Sequence, residues 1–76
     1  MNSIYAILKH SAIPKANGFF DTLLIGTKSG NKFSGTLAKW KPEKSTHIVV
    51  ICHENDLSYV EIDSIESVTI ANPERN

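Results

Sequence analysis

A glycine in the middle of the clearest strand of this chain restricts the fold more than any other residue. Lys32 to Trp40 alternates, with Phe33, Gly35 and Leu37 on one face and Lys32, Ser34, Thr36 and Ala38 on the other, as a half-buried strand requires. Gly35 therefore falls on the apolar side, where it packs nothing and marks a sharp bend or bulge. A strand bent in this way can serve two sides of a small barrel. Ahead of it, Thr22 to Lys28 reads as another strand, and Ser29-Gly30-Asn31 supplies the turn that makes the two a hairpin.

The rest of the chain continues in short β segments. Lys41 to Thr46 is a turn, and His47 to His53 is a third strand whose unbroken apolar character implies burial on both faces or at a contact. After a tight connection at Glu54-Asn55-Asp56, Leu57 to Ile62 forms a fourth strand with Val60 and Ile62 toward the core. The alternation slips at Asp63-Ser64-Ile65, which one helical turn explains, and resumes at Val68 and Ile70 in a fifth strand, Glu66 to Ala71, that ends at Pro73. At the other end Ile4, Ile7 and Leu8 fall at helical spacing with Asn2 or Ser3 as N-cap, predicting a helix over about 3–11 that stops before Pro14. Pro14 to Gly18 is a loop. Phe19 and Phe20 point opposite ways in an extended segment, so one is expected to enter the core and the other to cover the helix or a neighbouring subunit. The architecture expected is one domain over 1–76, mostly β, with a five-stranded, strongly bent SH3-like barrel over about 21–72 behind a short N-terminal helix.

Size and charge narrow the function. At 76 residues the chain is too small for two cores, since a domain of this length buries only about 60% of its unfolded surface. The apolar runs Leu23 to Ile25 and Ile48 to Cys52 fall far short of the roughly 20 residues that cross a bilayer, so no membrane segment is expected. Residues 1–12 have no basic stretch ahead of their apolar residues, and the single cysteine, Cys52, has no partner for an internal disulfide; a cytoplasmic location follows as the expectation. Without disulfide or metal staples, oligomerisation is the remaining common source of buried surface. Charge is divided along the chain. Residues 1–45 hold seven lysines against Asp21 and Glu43, a net +5, whereas residues 46–76 carry −5, which permits a basic and an acidic face to meet head to tail in an assembly.

The order of helix, strand, Gly-containing hairpin, strand with a central Gly, apolar strand and tail hairpin joined by one turn resembles the Sm-like fold of the Sm, LSm and bacterial Hfq proteins. Ser29-Gly30, Phe33-Ser34-Gly35-Thr36-Leu37 and Val60-Glu61-Ile62-Asp63-Ser64-Ile65 carry the resemblance, which spans about Leu23 to Pro73. It implies a closed ring of subunits, pentamer to octamer, in which the fourth strand of one pairs with the fifth of the next. Tyr59, Val60, Ile62, Val68 and Ile70 would then lie at the subunit interface, and single-stranded RNA would bind near the pore or on a face. The match departs at the RNA-binding positions. Lys41 stands where the Asp of the Sm signature is expected, after Trp40 at the place of an Hfq phenylalanine. Ile62-Asp63 replaces Arg-Gly or Lys-His, and a carboxylate there repels phosphate.

Lys39, Trp40 and Lys41, with Lys44 and His47, are the nearest approach to a nucleic-acid motif: cations for phosphates and an indole on which a base can stack. The competing role for Trp40 is to close the barrel as a core residue. His10, His47 and His53 are not spaced as a metal site, Glu61 and Asp63 have no cleft to desolvate them, and Gly26, Gly30 and Gly35 match no nucleotide-binding fingerprint. No catalytic activity, cofactor or metal is expected. Three classes remain: a ring that binds RNA or another polyanion, an oligomeric structural or protein-interaction module of the same fold that has lost RNA binding, and a monomeric domain that takes a peptide in an aromatic groove.

Overall fold

The computed structural model describes residues 3–71. Helix α1 (Ser3–Ser11) is followed by β1 (Thr22–Thr27), β2 (Lys32–Gly35), β3 (Ile48–His53), β4 (Asp56–Glu61), a single 3₁₀ turn (Ile62–Ser64) and β5 (Ile65–Ala71). These bounds follow the expected elements closely, except that β2 stops at Gly35. Asn2 as a cap and Asn72 and Pro73 at the end of the barrel lie outside the described residues.

α1 forms because Ile4, Tyr5 and Leu8 put one apolar stripe against the sheets, with Leu8 fully buried. The stripe is rotated from the one expected, since Ile7 faces outward. Lys9 and His10 occupy the last turn, where cations suit the helix dipole, and the Ala12 N–H closes the end on the Leu8 carbonyl at 3.0 Å. In the following loop the Phe19 amide donates to Asn17 Oδ1 at 2.9 Å, and Lys15 Nζ lies 3.4 Å from Asp21 Oδ1. Those contacts hold the backbone and leave the Phe19 side chain 69% exposed, with Phe20 half-buried; neither belongs to the core, where one of the two was expected.

The strands form two antiparallel sheets, β2-β1-β5 and β3-β4. In the first, Leu23 and Ile25 of β1 are buried opposite Gly35 and Phe33 of β2 and Ile70 and Val68 of β5. In the second, Val49 and Ile51 of β3 face inward beside Val60 of β4. One bridge joins the sheets: Thr36 and Cys52 exchange N–H to carbonyl bonds of 2.9 and 2.8 Å. At the other end the 3₁₀ turn ties both together, as Ile62 N–H donates to the His47 carbonyl and the Ser64 carbonyl accepts from Lys28 N–H, each at 2.8 Å.

Across the molecule the strands thus run β5-β1-β2-β3-β4, bent at the bridge. The sequence does not close on itself, which corrects the expected closed barrel to two linked sheets with β4 and β5 at the ends. The core lies between them, built from Leu8, Leu23, Ile25, Leu37, Trp40, Val49, Ile51, Val60, Ile62 and Ile65. Of the two alternatives expected for β3, burial on both faces is not found within the chain: its inward residues are buried, but Ile48, Val50 and Cys52 point outward and remain partly exposed. No helix among the described residues is long and apolar enough to cross a membrane.

Candidate functional site

The lysine-rich segment after β2 is a pair of turns folded around one indole. Trp40 N–H donates back to Leu37, and Lys44 and Ser45 N–H both donate to the Lys41 carbonyl at 2.9 and 3.0 Å. The Trp40 side chain is 3% exposed; its Nε1–H is shared between the Ser45 carbonyl at 3.1 Å and the Ile48 carbonyl at 2.9 Å, and its ring meets Tyr5 edge to face at 6.1 Å. A buried indole with a satisfied donor is an anchor for its surroundings. Trp40 therefore has no open face on which a base can stack, and its expected stacking role is corrected to a packing one.

Around that anchor Lys39, Lys41 and Lys44 are exposed, as is His47, whose Nδ1 lies 3.1 Å from Thr46 Oγ1. The structure brings the five residues together as a motif, but as cations arranged about a core aromatic. Beside them, α1 and the turn at 40–43 enclose an open groove of about 400 Å³. Tyr5, Lys9, Ala12, Ile13, Trp40, Lys41, Pro42 and Glu43 line it; Trp40 is buried, whereas Lys9, Ile13, Lys41 and Glu43 are exposed. Lys9 Nζ sits 5.5 Å from the Tyr5 ring centroid, a cation–π arrangement. Sequence reasoning passed over Tyr5, Lys9 and Ile13; the i, i+4 spacing of Tyr5 and Lys9 was the available signal.

The residues expected at a subunit interface divide. Tyr59 projects from β4 and is 66% exposed, with Leu57, unanticipated, beside it on the same face at 45%. Val60 and Ile62 are core residues, and Val68 and Ile70 turn inward against Ile25 and Leu23. Val60 and Ile62 thus offer a neighbour only their backbone, whereas Val68 and Ile70, half-buried, keep part of their side chains accessible. Among the described residues β4 pairs with β3 alone and β5 with β1 alone, so each has one edge of N–H and C=O groups left unpaired by them.

A second, polar opening of about 280 Å³ lies where β2 parts from the β3–β4 hairpin, between Lys32, Phe33 and Ser34 on one side and His53, Asp56 and Ser58 on the other. His10, His47 and His53 stand on α1, ahead of β3 and at the end of β3, and among the described residues no group of three His, Cys, Asp or Glu is placed to hold a metal ion. Comparison of the chain with protein-family models, with curated proteins and with solved structures found no match.

Proposed function

We propose that this chain is a non-catalytic, self-assembling module of Sm-like type that works as a ring-shaped homo-oligomer, pentamer to octamer, in the reducing cytoplasm that suits an unpaired Cys52. The observation that carries the reading is the pair of free edges: β4 and β5 end the strand order on opposite sides, and each offers a row of unpaired backbone groups. An edge of one copy paired with the other edge of the next is a heterologous contact, which closes into a ring when the rotation permits. The bend at Gly35, the 3₁₀ turn between β4 and β5 and the helix ahead of β1 support the Sm-like comparison. Light scattering of the eluting protein tests it. A discrete mass of five to eight chains is expected of the proposed ring, and a monomer at about 100 μM, where even weak specific association is populated, would discard it.

A second reading has its own observation, the exposure of Lys39, Lys41 and Lys44 around Trp40. In it the ring binds single-stranded RNA or another polyanion by phosphate neutralisation and counterion release, with His47 at the margin and Trp40 holding the turns in place. Replacing the three lysines with glutamate is expected to abolish oligonucleotide binding at low salt. Affinity unchanged in that variant would remove these lysines as the site, and a wild type that binds no oligonucleotide at low salt would leave the structural, protein-interaction role as the function.

A further inference from the structure

Edge pairing takes place in the plane of a sheet and leaves the faces of that sheet uncovered. The outward face of the β3–β4 hairpin is apolar: Val50 stands opposite Tyr59 and Cys52 opposite Leu57, with Ile48 opposite Glu61 at the end. Among the described residues nothing covers Tyr59 or Leu57. A contiguous apolar patch with a charged margin marks an interaction site on a small protein, and an exposed tyrosine is the kind of residue that dominates such contacts.

The complementary surface is the groove between α1 and the turn at 40–43. Its apolar lining, with Tyr5 half-buried over the buried Trp40 and Ile13 61% exposed, suits an apolar side chain, and its volume of about 400 Å³ accommodates an aromatic one. Lys9 and Lys41, both exposed, suit a carboxylate beside that side chain, and Glu61 lies two residues from Tyr59 on the same face of β4. The charges of the halves agree, since residues 46–71 hold five carboxylates and no lysine or arginine, while the seven lysines all precede residue 46. The same face against itself would set Glu61 and its acidic surroundings against their own copies. A phosphate chain in the groove would use Lys9 and Lys41 but leave the exposed Ile13 uncovered.

We propose that Tyr59 of one copy inserts into the α1–turn groove of a second, with Glu61 directed at Lys9 and Lys41. The contact is heterologous and does not rest on the pairing of β4 with β5. It is tested on the full chain by light scattering or sedimentation over a range of concentrations, for the wild type, Tyr59→Ala, Ile13→Asp, Lys41→Glu, Glu61→Lys and the last two combined. These side chains are exposed, so folding is expected to persist, and circular dichroism checks it. Tyr59→Ala and Ile13→Asp are each expected to weaken association at least tenfold, and the combined charge reversal to recover most of what each reversal loses. A wild type that stays monomeric to about 1 mM overturns the contact. So does normal association in either Tyr59→Ala or Ile13→Asp, or a combined reversal that recovers nothing. If the lysine change costs only oligonucleotide binding and leaves association intact, the groove belongs to a polyanion instead. A β5 proline variant with broken edge pairing keeps this contact, so failure of the ring and failure of the groove are read from different proteins.

Discussion

A methyl group at Gly35 would run into the carbonyl of Cys52 and the side chain of Ile51, at a backbone φ of +155° that side-chain-bearing residues rarely adopt. Gly35→Ala is therefore expected to destabilise the fold by about 3 kcal/mol, from overpacking and backbone strain together, read as a lower urea midpoint. A midpoint unchanged would mean that the bend does not depend on this close approach. Trp40 presents the opposite case, a residue whose chemistry suggested a ligand and whose surroundings make it structural. Trp40→Ala is expected to cost about 3–5 kcal/mol and so to report unfolding in any binding assay; thermal unfolding measured alongside checks this. The Gly35 bend was legible because a glycine on an apolar face has few explanations. The Trp40 burial was not, because its partners Tyr5, Ser45 and Ile48 come from the helix and from beyond the turn, and neighbouring lysines are equally consistent with an exposed indole. Phe19 was misjudged for a similar reason, since the contacts of Asn17 and the Lys15–Asp21 pair decide where its side chain goes.

The elements were read more securely than the residues between them. Helical spacing placed α1, and the slip in alternation located the 3₁₀ turn, because both are local signals tied to a period. The end of β2 escaped detection since burial keeps alternating through Leu37 after the chain has left the sheet; Gly35 and Leu37 are both buried on either account. Which strands are left with free edges is a fact of pairing that no local period carries; β4 and β5 were expected there only through the Sm-like resemblance, and the sheets leave those two at the ends. The edges yield a prediction at this scale. Adjacent residues of an antiparallel strand direct their N–H groups to opposite sides, so of Val68→Pro and Thr69→Pro one removes a bond to β1 and the other a group on the free edge. The variant that keeps its fold is expected to lose the ring and elute at a lower mass. Full-size assembly in that folded variant would rule out β5 as a subunit contact.

For the whole molecule, a net charge of zero conceals two halves of opposite sign, and the two proposed contacts respond to salt in opposite ways. β4 carries Asp56 and Glu61, β5 carries Glu66, and neither strand has a lysine or arginine, so joining their edges gathers like charge. In Ile13→Asp, where the groove contact is removed, assembly is expected to strengthen between about 50 and 300 mM salt as that repulsion is screened. Sedimentation across the series checks the direction, and a mass that falls with salt would show that attraction between unlike charges holds the edges. The same scale contains the single bridge between Thr36 and Cys52. One apolar core serves both sheets, yet along this seam only one rung of main-chain bonding holds them, beside the polar mouth at Phe33 and Ser58. The molecule is thus constructed as two leaves on a binding. Opening along the seam is expected to cost less than global unfolding and to expose Phe33, so amide exchange followed by NMR should find Thr36 and Cys52 faster than the middle of β1, and equal protection would show the leaves open only together.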